Sequence, residues 1–290
     1  MNKRLALGTA QFGLPYGVAN HTGQVDRDEA RAILAHARDA GMDTLDTAMA
    51  YGESELRLGE VGVEGWQVIS KLSAIPPSCP DVAVWVRESV LGSLARLRIP
   101  RLSGLLLHRP QELLGEQGQV LYRSLSALKE QGLVVKIGIS VYGPEELDAL
   151  SPHFRFDLVQ APFNLVDRRM ATSGWLRKLH QSGTEVHIRS VFLQGLLLMD
   201  EQRRPAFFQR WQPLWKEWHH WLVEQAISPL QACLGFVLAQ PEVGRVVLGI
   251  DSLEHLRGIL ASAGAPAVVP PAALASQDLD LINPARWSLT

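Results

Sequence analysis

Runs of five to seven largely apolar residues alternate along most of the chain with stretches in which apolar residues recur three and four positions apart. The first kind predicts strands at residues 4–8 (RLALG), 42–47 (MDTLDT), 66–71 (WQVISK), 103–108 (SGLLLH), 134–140 (VVKIGIS), 156–161 (FDLVQA), 184–190 (TEVHIRS) and 245–249 (RVVLG). Most are apolar on both faces, as strands held between a barrel interior and a helical shell must be. The second kind predicts crossover helices. One covers residues 26–41, with acidic residues in its first turn and Gly41 after its last; others cover 82–97 and 120–132, the latter ending at Gly132. Eight strand-helix units predict an α/β protein with a (β/α)8 TIM barrel. A doubly wound open sheet would carry G-x-G-x-x-G after its first strand, and no such run is present there.

Two segments fall outside the repeat. Residues 203–226 place Trp211, Trp215, Trp218 and Trp221 at spacings of four, three and three, one stripe of an extra helix expected to pack on the barrel before its last units. Residues 263–290 are rich in Pro and Ala and carry Trp287; they are expected either to drape over the barrel mouth or to form a surface extension. A single domain over residues 1–290 is expected, with the barrel at about 4–262.

The bulk composition narrows the partners. A formal charge of -2, with no basic block, gives nucleic-acid binding little support, and a small molecule is the expected ligand. No apolar run reaches membrane-spanning length, and the opening MNKRLALGTAQFG is too short in apolar residues for a secretory signal. Cys79 and Cys233 form neither a C-x-x-C pair nor part of a His-rich cluster, so a reducing cytoplasm and no structural metal are expected. No heptad or long exposed edge points to an oligomeric partner.

Four side chains carry the candidate chemistry: Asp46 and Tyr51 in LDTAMAYGESE, Lys71 in VISKL and His108 in LLLHRP. Each sits at or just beyond the downstream end of a predicted strand, where barrel enzymes keep their active sites. Taken singly, each has a structural explanation: a turn cap, a packed ring, a solvated strand end, a satisfied histidine. Together they have complementary roles. A phenol is a weak acid at neutral pH, so a cation must stabilise its anion; Lys71 is that cation, Asp46 the carboxylate that orients it, and His108 the group that bonds a carbonyl oxygen. Delivery of a proton to oxygen suggests carbonyl reduction, which also needs a hydride-donating cofactor. A Schiff-base lyase using Lys71 as nucleophile is a competing chemistry.

The motifs LGTAQFG, LDTAMAYGESELRLGE, VISKL, LLLHRP, IGIS, VQAPFNLVDRR and PLQACLGFVLAQPEVGRVVLGIDSLEHL occur in that order across roughly residues 4–262. In this the chain resembles the aldo-keto reductase superfamily, in the bacterial variety that opens with GTAQFGLPYG. The resemblance implies a metal-free (α/β)8 barrel that reduces aldehydes or ketones with NADPH, with Tyr51 as general acid and Asp46, Lys71 and His108 completing a tetrad.

The resemblance also implies a cofactor berth. Gly8 and Thr9 would line it, and Ser140 and Gln160 would hold the nicotinamide carboxamide; Val141 stands where similar proteins have Asn. Arg189 takes the place of a ring-stacking aromatic, as a stacked guanidinium or as one half of a salt bridge. Ser190, Leu193 and Gly195, in SVFLQGLL, would cover the pyrophosphate. Gly249, Asp251, Ser252, His255 and Arg257 would meet the adenosine end at a helix N-terminus, although Ile259 replaces the usual Asn and Asp251 would repel a 2'-phosphate. NADP(H) is the expected cofactor, with NAD(H) open. Phe12, Tyr16, Tyr51, His108, Arg109, Phe163 and Asn164 are the candidate substrate contacts; their mixed character suits a sugar-like carbonyl or an apolar aldehyde. The departures at Val141 and Arg189 keep a second class open, a cofactor-binding regulatory or redox-sensing barrel with little turnover.

Overall fold

The computed structural model describes residues 2–20 and 23–287. The strands are β1 (Leu5–Gly8), β2 (Thr44–Asp46), β3 (Gln67–Leu72), β4 (Leu102–Leu107), β5 (Val134–Ser140), β6 (Leu158–Pro162), β7 (Glu185–Arg189) and β8 (Arg245–Gly249). All neighbours pair in parallel and in chain order, and β8 closes onto β1 with Gly8 opposite Gly249, making a closed eight-stranded barrel. The strand limits fall within two residues of those the hydrophobic pattern predicts, apart from the bounds of hydrogen bonding at their ends.

The helices in chain order are α1 (Arg27–Asp39), α2 (Ser54–Val61), α3 (Val82–Leu97), α4 (Gly118–Glu130), α5 (Pro144–Leu150), α6 (Arg169–Thr172), α7 (Trp175–Gln181), α8 (Gln212–Gln225), α9 (Pro229–Leu238), α10 (Leu253–Ser262) and α11 (Leu279–Ile282). Their starts follow local chemistry. The Asp26 carboxylate accepts from the amides of Asp28 and Glu29, Asp81 does the same for Ala83 and Val84, and Ser228 forms a reciprocal capping box with Gln231.

Side chains on a strand alternate between faces, so residues two apart share one. Ile69, Leu106 and Leu158 form a buried cluster of their own, separate from the core between barrel and helices. Gly104 makes room for it, since a Cβ there would lie 2.9 Å from Ile69 Cδ1. Two positions further on come Lys71, His108 and Gln160, which therefore stand above this apolar floor at the downstream mouth. At the downstream ends of the other strands stand Gly8, Asp46, Ser140, Arg189 and Gly249, completing a ring of eight positions, one at each strand end.

The tryptophan stripe is helical, as its spacing predicts. Trp215, Trp218 and Trp221 on α8 are buried, whereas Trp211 precedes the helix at the end of a 3-10 turn and is half-buried. The tail packs on this outer layer rather than over the mouth. Trp287 meets Phe208 edge-on at 4.8 Å, the Trp211 indole donates to Asp278, and the Arg168 guanidinium donates to the Pro271 carbonyl. Among the described residues, no single helix is long and apolar enough to cross a membrane.

Candidate active site

A cavity of about 360 Å3 opens at the downstream mouth of the barrel. Seven of the eight ring positions line it: Gly8, Asp46, His108, Ser140, Gln160, Arg189 and Gly249. The eighth, Lys71, lies just behind with 1 % of its surface exposed. Its Nζ donates to Asp46 Oδ1 at 2.5 Å and to the Thr47 carbonyl at 2.9 Å. Burial alone would lower the Lys71 pKa, but the Asp46 carboxylate and, less strongly, Tyr51 more than offset this and leave it raised. Lys71 is thus held as an ammonium, which argues against the nucleophilic amine a Schiff base requires.

Tyr51 comes from the tight turn after β2, where its amide donates to the Ala48 carbonyl and its own carbonyl accepts from Ser54. Lys71 Nζ lies 5.1 Å from the centre of its ring. The His108 imidazole meets that ring edge-on, with centroids 5.8 Å apart. Burial, followed by the charges of Lys71 and Arg189, lowers the His108 pKa to about 4, so the imidazole is neutral at pH 7.

On the far side of Asp46, Gln160 Nε2 donates to Oδ2 at 2.6 Å, while Ser140 Oγ reaches Gln160 Oε1 only at 3.4 Å. Both Asp46 oxygens are therefore engaged, and Gln160 Oε1 is held only by the long contact from Ser140 Oγ. Val141 is fully buried, its amide donating to the backbone carbonyl of Gln160, and the side chain that replaces the expected Asn does not line the cavity. Arg189 stacks on the Tyr142 ring at 4.8 Å and donates to the Val141 carbonyl at 3.0 Å.

The segment after β7 covers one side of the cavity. Ser190, Leu193 and Gln194 adopt left-handed backbone conformations ahead of Gly195, so the chain coils tightly there. Gly195 faces Ala19 so closely that a Cβ would sit 2.5 Å from the Ala19 methyl, and Gln194 donates to the Tyr16 hydroxyl at 3.0 Å. Ser190, Gly195 and Tyr16 line the cavity; Leu193 is buried in the core beneath.

Beyond β8, Asp251 and His255 line the rim as a pair, 3.0 Å apart, and the Asp251 pKa is lowered, chiefly by the His255 hydrogen bond. Ser252 caps α10 by accepting from the His255 amide, and Arg257 is exposed away from the cavity. At this helix start, the Leu253 amide donates to Glu29 Oε1 of α1 at 2.6 Å and so is not open to a phosphate. Nothing in the local sequence of α10 signals Glu29, which comes from a helix 224 residues away.

Of the expected substrate contacts, Tyr16, Tyr51 and His108 line the cavity, whereas Phe12, Arg109, Phe163 and Asn164 do not. Phe12, in a 3-10 turn after β1, and Phe163, just after β6, are fully buried in the main core, the latter stacked on Phe236. Arg109 points to solvent. Asn164 is a brace: it donates to the Ser190 carbonyl and accepts from the amides of Val166 and Asp167. Sequence reasoning missed Gln11, Tyr142, Phe192 and Gln194 on the wall. Gln11 Oε1 is buried there without a hydrogen-bond partner.

A closed parallel barrel whose titratable groups converge on a cavity at the strand C-termini defines an α/β-barrel enzyme. The aldo/keto reductase family model matches residues 4–267, and the chain belongs to that family. It is accordingly an oxidoreductase, of a family that uses nicotinamide cofactors for carbonyl chemistry. An uncharacterized oxidoreductase of Bacillus subtilis is 24% identical over 299 residues, which take in 91% of this chain and 92% of that protein. A D-threo-aldose 1-dehydrogenase of a Pseudomonas species is 28% identical over 241 residues, 70% of this chain and 73% of the relative. Among solved structures, an aldo-keto reductase from Pseudomonas aeruginosa superposes with a TM-score of 0.66 at 28% identity, covering 90% of this chain and 89% of that one. The fold is shared with a Bacillus halodurans aldo-keto reductase at a TM-score of 0.73 and 18% identity, over 92% of this chain and 88% of the other.

Proposed function

We propose that this chain reduces an aldehyde or ketone to an alcohol, with Tyr51 as the proton donor and Lys71, Asp46 and His108 as its supporting groups. The observation that carries the reading is the Asp46–Lys71 pair at 2.5 Å, with its ammonium beside the Tyr51 ring. When bound, a nicotinamide supplies the hydride to carbon. Tyr51 delivers a proton to oxygen, and the Lys71 ammonium stabilises the phenolate that remains. Asp46 keeps that ammonium charged and in place. His108, neutral at working pH, can donate from one ring nitrogen to the carbonyl oxygen without competing as an acid.

The residues around the cavity suit a nicotinamide cofactor. Gln11 Oε1 is a buried acceptor in need of a donor, Gln160 Oε1 is loosely held, and Gly8 and Gly249 expose bare backbone. What supports NAD(H) over the NADP(H) expected from the resemblance is the charge at the β8 end. The Glu29 carboxylate takes up the Leu253 amide at the start of α10, Asp251 adds a second negative charge at the rim where the resemblance would put a 2'-phosphate, and Arg257 faces away. The aldose named for the Pseudomonas relative, together with the hydroxyl and amide groups of Tyr16 and Gln194 on the wall, supports a polyhydroxylated carbonyl substrate.

Tyr51→Phe tests the reading. Turnover is expected to fall by roughly 100-fold or more while NADH still binds, in line with the usual contribution of a positioned acid. Wild-type turnover in that variant would overturn the assignment.

A further inference from the structure

We propose that the substrate carries, in addition to its carbonyl, an anionic group, a carboxylate or phosphate, and that Arg189 binds it. This rests on the reductase reading of the same cavity.

The charges around the mouth are unequal. Lys71 and Asp46 neutralise one another, and His108 is uncharged. At the β8 rim Asp251 has His255. Arg189 lines the cavity as well, and among the described residues no carboxylate lies within salt-bridge distance of it. Its partners are the Val141 carbonyl, the Ser190 hydroxyl and the face of Tyr142. Glu146 is close enough to be influenced by Arg189, but it accepts from the Tyr142 amide and from Gln111 and does not line the cavity. A guanidinium has five donors in a planar fork suited to a carboxylate or phosphate, and three neutral partners leave that fork incompletely used.

The direction of the side chain favours the substrate over the cofactor as the source of the anion. From the end of β7 the guanidinium reaches across β6 to the Val141 carbonyl and Tyr142 after β5. That is away from the Asp251 and His255 end and toward the side of the mouth where β4 ends at His108, and the charge of Arg189 acts on His108 and Lys71. An anion bound there shares the cavity with Tyr51 and His108.

Matched pairs test the assignment: 4-oxobutanoate against butanal, and glucuronate against glucose, each at saturating NADH. The wild-type protein is expected to favour the anionic member in kcat/KM by roughly 10-fold or more, the usual worth of a hydrogen bond to a charged group. Added salt should weaken that preference without altering neutral substrates. Arg189→Gln should bring the two members to near parity through KM, Arg189→Lys should keep part of the preference, and NADH affinity, measured by fluorescence, should change little in both. Equal wild-type rates within each pair would overturn the anion assignment and leave the reductase reading standing. So would an Arg189→Gln variant that loses NADH affinity yet keeps its charge preference, because the guanidinium would then serve the cofactor. If none of the four carbonyls is reduced, the reductase reading falls and this assignment with it.

Discussion

Gln160 Nε2 donates to Asp46 Oδ2 at 2.6 Å, joining residues 114 positions apart in the chain and fixing the oxygen that Lys71 leaves free. The Lys71 ammonium therefore depends on a carboxylate clamped from two sides. Asp46→Asn keeps the shape and removes the charge, so a buried ammonium loses its counter-ion. The expected loss of stability at pH 7 is about 3 kcal/mol, together with a large fall in kcat. Urea unfolding measures the first; an unchanged midpoint would show that the pair contributes little.

The neutral His108 makes stability depend on pH. Its folded pKa of about 4 lies below the ordinary 6.5, so between those values the unfolded chain binds more protons. The contribution is complete above about pH 6.5 and is lost as the pH falls toward 4, amounting to at most about 3 kcal/mol. His108→Asn should flatten the stability profile between pH 7 and pH 4.5 relative to the wild type. Parallel profiles would reject a buried, neutral imidazole.

Cofactor choice gives a third test. NADH is expected to bind roughly 10-fold more tightly than NADPH, since even about 1.4 kcal/mol of repulsion from Glu29 and Asp251 produces that ratio. The double variant Glu29→Gln, Asp251→Asn should narrow the gap. Fluorescence titration with both cofactors decides it, and a wild-type preference for NADPH would refute the charge argument.

Glu55 on α2 accepts hydrogen bonds from Ser70 of β3, and from Ser93 and Arg96 of α3, while itself nearly fully buried. Glu55→Ala strands all three partners and should cost about 3 kcal/mol. Glu55→Gln, which can still accept, should cost less. A loss under about 1 kcal/mol on calorimetry would mean that the network relaxes around the gap.

The barrel was legible because its signal is local. A strand buried on both sides must be apolar, a crossover helix must show an apolar stripe, and each can be read within a window of a dozen residues. The spacing of two that sets Ile69 below Lys71 and Leu158 below Gln160 is likewise visible in the chain. The tetrad positions were legible as polar groups at or just beyond the predicted strand ends, and the structure brings all four to one mouth. Residues just past the strands were harder. Phe12, Phe163 and Asn164 follow the strands that lead to the same mouth, yet the two phenylalanines turn into the core and Asn164 is spent on the backbone of neighbouring loops.

Sequence alone thus determined the alternation of elements, the identity of the groups at the strand ends and the family they resemble, because periodicity and motif order are properties of the chain itself. Only the tertiary structure decided which of those groups meet. Glu29 closing the start of α10, Gln160 clamping Asp46, and Arg189 reaching Tyr142 with no carboxylate among the described residues to neutralise it rest on contacts between distant segments. They depend on how the strand register and the loop conformations place side chains within a few ångströms, which no local pattern encodes.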